Sequence, residues 1–200
     1  MVNLNELKEN LIKKGYETKV FNNSKEAKEY LLNSIKDTTV GIGGSVSVEQ
    51  LSIYDDLKKN NTVYWNMIEE KDKQVEVRDL AMNTKIYLTS ANAISMDGEI
   101  VNIDGTGNRV ASTLYGHEKI YFIIGRNKIE NTLDEAINRA RNIAAPLNAK
   151  RLNKKTPCVM DLKCHNCSSP ERICRSLVVL YQKSKGADYE VILIDEDLGY

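Results

Sequence analysis

Four cysteines fall within one short segment, Cys158, Cys164, Cys167 and Cys174, and none precedes them in the chain. The central Cys164-His-Asn-Cys167 spacing lets two thiolates bite one metal from a tight turn, with the outer pair near enough to complete a tetrahedral set. An iron–sulfur cluster and zinc are the two expected occupants. Reduced buried thiols and a redox dithiol are the alternatives, because the spacing matches neither the bacterial ferredoxin run nor the paired knuckles of a zinc ribbon. Crowding of this kind reads as a site within residues 156–176 rather than as a disulfide framework.

Two glycine-bearing turns carry the second kind of chemistry. Gly43, Gly44 and Ser45 follow an apolar run and precede a helical one, where backbone N–H groups can hold a phosphate or carboxylate. No third glycine follows at dinucleotide spacing and no Gly-Lys-Ser/Thr of a P-loop is present, so a plain βα turn is the alternative. The second turn is Gly105, Thr106 and Gly107, leading into Asn108 and Arg109, whose guanidinium is placed to grip an anion bidentately. Asn92 and Asn102 flank this turn as candidate ligand-binding amides. Asp104, at the entry to the turn, is a candidate base or a loop cap. Glu99 is a candidate nucleophile or a solvent-facing strand residue. Six basic residues from Arg139 to Lys155, with no acidic one among them, predict a local positive field. His117 reads as a loop residue, and two histidines without a Ser–Asp partner pattern give a hydrolase triad little support.

These residues need elements to position them. Leu4, Leu7, Leu11 and Ile12 recur at helical spacing before Gly15. Strands are expected at 16–21, 38–42, 62–65, 85–90, 119–124 and 189–194, with helices between them. Caps are expected at Asn23 with Glu26, Ser47 with Gln50, and Thr132 with Glu135. A helix is expected over 68–82. Asp97-Gly98 between two apolar runs predicts a hairpin with a two-residue type I′ turn. Ser169-Pro170 predicts a helix running through Leu177 and Leu180. Strands alternating with helices imply an α/β fold, a three-layer α/β/α arrangement with a mostly parallel sheet and a β-hairpin excursion.

Two hundred residues fit a single domain over 1–200 with a substantial core. Lys+Arg and Asp+Glu balance at 28 each, so a generally basic nucleic-acid binder is not expected. No run approaches a membrane span, and the amino terminus lacks the order of a secretory signal, so a cytoplasmic location is expected.

The ordered set Gly41-Ile-Gly-Gly-Ser45, Asp97-Gly98, Gly107-Asn-Arg109, Gly125-Arg-Asn-Lys128, the cysteine segment and Leu198-Gly-Tyr200 resembles the LUD family, named for lactate utilisation. The resemblance implies the fold shared by ribose phosphate isomerases, glucosamine phosphate deaminases and CoA transferases. It also implies a small anionic metabolite as ligand and, as partners, iron–sulfur oxidoreductase subunits that oxidise lactate. Ser90 to Thr106 is similar to methylthioribose phosphate isomerases as well, but their acidic proton-transfer residue falls on Asn92 and their lysine on Ile103. An isomerase or acyl/CoA transferase acting on a phosphorylated or CoA-linked molecule, through Asp104 or Glu99, is therefore the competing expectation.

Overall fold

The computed structural model describes residues 3–200; Met1 and Val2, the start of the run read for a leader, lie outside the described residues. In chain order the elements are α1 (Leu4–Lys13), β1 (Glu17–Phe21), α2 (Ser24–Ser34), β2 (Thr39–Ile42), α3 (Val46–Gln50), α4 (Tyr54–Leu57), β3 (Thr62–Trp65), α5 (Gln74–Met82) and β4 (Ile86–Thr89). There follow β5 (Ala93–Ser95), β6 (Ile100–Asp104), α6 (Asn108–Ser112), β7 (Lys119–Gly125), β8 (Ile129–Glu130), α7 (Leu133–Arg139), α8 (Ala145–Arg151), α9 (Cys158–Asp161), β9 (Ser176–Leu180) and β10 (Asp188–Ile194).

Six strands form a parallel sheet in the order β1-β10-β7-β4-β2-β3. A sheet covered on both faces needs apolar residues at consecutive positions. In β7 and β10 they sort by parity. Tyr121, Ile123, Ile192 and Ile194 pack with Leu31 of α2, Val48 of α3 and Leu57 of α4 on one face. Ile120, Phe122, Ile124, Val191 and Leu193 pack on the other with Leu7 and Leu11 of α1 and with Ile94 and Ile100. The expected three-layer α/β/α architecture is therefore present, and the hairpin excursion grows into a second sheet, ordered β8-β5-β6-β9. Its outer face, Ala93 and Val101, is closed by Ala136 of α7 and by Ala140.

Several local expectations are corrected. The hairpin is closed by Met96, Asp97 and Gly98, with Ser95 N–H bonded to the Glu99 carbonyl and only Gly98 left-handed, at φ 89°. That is a three-residue loop with a glycine bulge, not a type I′ turn. The expected helix after Ser169-Pro170 is a strand at its far end. Ser176–Leu180 pairs antiparallel with β6, and its Leu-Val-Val-Leu run suits a pleated surface better than a helix. The Ser169 hydroxyl instead receives the Glu171 N–H in a short turn. α5 is confined to Gln74–Met82, and the helix after the first glycine turn is split into α3 and α4. Ser45, not Ser47, caps α3 by accepting the Val48 N–H at 3.2 Å. His117 lies in the loop before β7, as expected, and is buried there, stacked on Tyr87 with its Nδ1 2.6 Å from the Thr84 carbonyl oxygen.

Candidate functional site

In open parallel sheets, ligands sit beyond the carboxyl ends of the strands, where βα turns diverge. Here a cavity of about 670 Å³ occupies that edge, and the segments following β2, β3, β4, β7 and β10 all contribute to its wall. The two glycine turns meet there. A Cβ on Gly43 would lie 2.8 Å from the Tyr87 hydroxyl and 3.2 Å from Arg109 Cγ. Glycine at position 43 thus lets the first turn press against the second. Gly107, at φ 96°, adopts a left-handed conformation that side chains resist and starts α6.

Of the residues singled out above, Gly44, Ser45, Asn92, Asp104, Gly105, Thr106, Asn108 and Arg109 line the cavity. Gly43, Asn102 and Gly107 do not line it but lie against or beneath those that do. Glu99 is elsewhere. Its carboxylate pairs with Lys14 at 2.9 Å and accepts from the Ser95 hydroxyl at the hairpin base. Burial alone would raise its pKa, but the bonds from Ser95 and Lys14 outweigh that and hold it below the usual carboxylate value. Glu99, a candidate nucleophile by sequence, thus serves as a counter-ion to Lys14 outside the cavity lining.

Asp104 and Arg109 are tied into the wall itself. Asp104 Oδ1 accepts the Thr106 and Gly107 N–H groups at 3.0 and 2.7 Å, and its Oδ2 lies 3.4 Å from Arg109 Nε. Arg109 donates to the Ser90 carbonyl, Asn102 Oδ1, Asn92 Oδ1 and the Ile103 carbonyl. Four of its five guanidinium donors are thereby spent on the protein, and Nε lies at ion-pair distance from Asp104. Arg109 braces the wall of the site, and in this arrangement its guanidinium is engaged by protein acceptors.

The remaining charge is one-sided. Seven basic side chains line the cavity, Arg78, Arg109, Lys128, Arg151, Lys154, Arg172 and Arg175, against two carboxylates, Asp104 and Glu171. Among the described residues, only Arg109 of the seven has a carboxylate within ion-pair distance. The positive field read from the 139–155 run is realised here by Arg151 and Lys154. In a chain of zero formal charge, this concentrates positive potential in one concavity.

Lys128, the last residue of the Gly125-Arg-Asn-Lys128 motif, carries no local signal in the sequence that marks it as a site residue. It is 4% exposed, and its Nζ donates to Ser47 Oγ at 2.8 Å, Ser90 Oγ at 2.9 Å and the Ala91 carbonyl at 2.9 Å. Burial, then the charges of Arg139 and Arg109, pushes its ammonium down to about 7. Gly199 covers the amine: a Cβ there would stand 2.5 Å from Ser47 Oγ and 3.2 Å from Nζ. Arg139, also buried, joins the same segments by donating to the Asn127, Asn92 and Tyr200 carbonyls.

The cysteines build a neighbouring wall. All four are free and half-buried, and all four line one small cavity with Arg141, Thr156 and His165. Among the described residues no three His, Cys, Asp or Glu side chains close on a point that would hold a metal ion. Residues 162–175 contain no helix or strand. Arg172 holds this loop by donating to the Cys174 and Cys167 carbonyls at 2.7 Å each. The loop also packs on the second glycine turn, since a Cβ on Gly105 would lie 2.7 Å from the Ile173 carbonyl oxygen. Arg172 and Ile173 face both cavities.

No helix of the described residues is long and apolar enough to cross a membrane. A search of curated proteins finds no match to the chain. Among solved structures, the chain is similar to a DUF162 family protein from Deinococcus radiodurans, at 12% identity and a TM-score of 0.55, over 96% of this chain and 95% of that one. At that identity the likeness establishes the fold. The LUD domain matches residues 4–194, nearly the whole chain, and the protein therefore belongs to the LUD domain family, a family of lactate utilisation type.

Proposed function

We propose that the chain binds a small, multiply charged anionic metabolite at the carboxyl edge of its parallel sheet. The observation that carries this reading is the charge of the cavity: six lining cations, with Lys128 a seventh only when protonated, face two carboxylates. Like charges held together in a half-enclosed space repel, and an anion relieves that repulsion while gaining charge-assisted hydrogen bonds. The volume, about 670 Å³, suits a sugar phosphate or part of a CoA ester better than lactate alone. Calorimetric titration with inorganic phosphate, lactate, ribose 5-phosphate and CoA tests it. Phosphorylated ligands are expected to bind, with affinity falling as salt rises and lost in Arg78→Glu/Arg151→Glu. Heats indistinguishable from dilution for all four would overturn it.

The family relationship favours a role beside iron–sulfur subunits in lactate oxidation, and the cysteine segment is the natural place for a cluster or zinc of the chain's own. What supports the metal is the convergence of four free thiols on one cavity in a loop without regular structure. As described, the thiols do not close on a single ion, so loading would draw them inward.

A further inference from the structure

We propose that Ser90 and Lys128 form a nucleophile and general-base pair for acyl transfer from an anionic ester or thioester. The pair sits at the cavity edge, just after β4 and just after β7. The anionic character of the substrate rests on the cationic cavity proposed above; the pair itself does not.

The hydrogen-bond directions distinguish the two hydroxyls. Ser47 donates to the Leu198 carbonyl at 3.1 Å, so its proton is placed. Ser90 Oγ has only distant oxygen acceptors, Ser47 Oγ at 3.3 Å and the Ala91 carbonyl at 3.4 Å, whereas Lys128 Nζ lies at 2.9 Å. With the amine neutral, its lone pair is the near acceptor for the Ser90 proton. Ser47 and the Ala91 carbonyl then take the two remaining N–H bonds and orient the amine, as a third group must in such pairs.

Burial first, then the charges of Arg139 and Arg109, bring the Nζ ammonium down to about 7, so the neutral amine is available from that pH upward. Arg109 faces it from α6 and Arg139 from α7, the first paired with Asp104 and the second with Glu130, and among the described residues no carboxylate pairs with Lys128 itself. Gly199 and Ser47 crowd the amine, so a carbonyl reaches the Ser90 hydroxyl rather than the nitrogen. Asn92 lines the same wall. Its Oδ1 is occupied by the Ile103 N–H and Arg109, which leaves its amide hydrogens to meet the oxygen of an adding carbonyl.

In the first step Ser90 Oγ adds to the carbonyl carbon while its proton passes to Nζ. The bond from that carbon to the leaving sulfur or oxygen then breaks, and the leaving group takes the proton from the Lys128 ammonium. In the second step water adds to the acyl-Ser90 carbonyl, giving a proton to Nζ. The ester bond to Ser90 breaks, the proton returns to its oxygen, and the acid departs.

The test uses p-nitrophenyl acetate, a neutral acyl donor whose reaction does not require the cationic cavity. Stopped-flow release of p-nitrophenolate and mass spectrometry of the peptide containing Ser90 are read together. Wild type is expected to show a burst and a 42 Da acetyl addition on Ser90, at a rate that rises with pH through about 7. Ser90→Ala should abolish both. Lys128→Met and the charge-retaining Lys128→Arg should each slow Ser90 acetylation about 100-fold or more and remove the pH inflection. Circular dichroism confirms folding of each variant, and Ser90→Ala, losing one oxygen, keeps the test open if the lysine variants unfold. No acetyl on wild-type Ser90, acetyl on Lys128 instead, or acetylation indifferent to a folded lysine variant would overturn the pair. Failure of the phosphate titration with a positive acetylation result would remove only the anionic substrate.

Discussion

Gly43 and Arg109 are in contact across the two glycine turns, so close that a Cβ on Gly43 would stand 3.2 Å from Arg109 Cγ and 3.3 Å from Cδ. The contact is what converts two remote sequence motifs into one cavity wall. Gly43→Ala is expected to push the arginine off its four acceptors or shift the Tyr87 hydroxyl, at a cost of about 1–3 kcal/mol by overpacking. Urea denaturation reads the stability, and an unchanged midpoint would show that the turns yield freely.

Arg109 has two separable roles open to it, brace and ligand contact. Its bonds to Ser90, Asn102, Asn92 and Ile103 within the protein make the first dominant. Arg109→Met leaves the buried Asp104 without its cation and several acceptors unmet, so a loss of about 3 kcal/mol or more is expected. A direct ligand contact would instead weaken phosphate binding with the unfolding midpoint intact, and that pattern would refute the brace.

Much of this frame was legible because it rests on local rules. The Asn23 and Thr132 caps bond the Glu26 and Glu135 N–H groups, and the apolar runs at β7 and β10 are central strands of the parallel sheet. What escaped depends on contacts distant in sequence. Ser176–Leu180 becomes a strand through its pairing with β6, and a helical start at Ser169-Pro170 carries no warning of that. Lys128 resembles any surface lysine until Ser47, Ser90, Ala91 and Gly199 close around it from three other segments. Arg109 suggested a ligand contact because its acceptors, apart from Asp104, were not identifiable from type.

The cysteine loop packs on Gly105 and contributes Arg172 and Arg175 to the cavity, so occupation of the thiols should be felt at the anion site. Protein purified anaerobically is expected to contain either iron with sulfide or zinc, absent from Cys164→Ser/Cys167→Ser. Because metal binding is coupled to folding of its loop, chelation should lower the thermal midpoint and weaken phosphate binding. Elemental analysis with calorimetry checks both, and metal-free wild type with full phosphate affinity would refute the coupling.

Lys128 gives the fold a pH dependence whose sign is fixed by burial. Its folded value is depressed to about 7 from 10.5, so between those limits the unfolded chain binds more protons than the folded one. Stability contributed by this group therefore rises with pH across that window and is lost as pH falls toward 7, by about 1 kcal/mol per unit. Lys128→Met removes the titration. The wild-type minus variant difference in unfolding free energy is expected to shift in favour of wild type from pH 7 to 9.5, below the range in which the buried tyrosines ionise. Anions that bind the cavity should blunt this trend by favouring the ammonium. A difference that stays flat over the window, measured by urea titration at each pH, would mean that the amine keeps its proton in the fold and that its three hydrogen bonds are those of an ordinary buried ammonium.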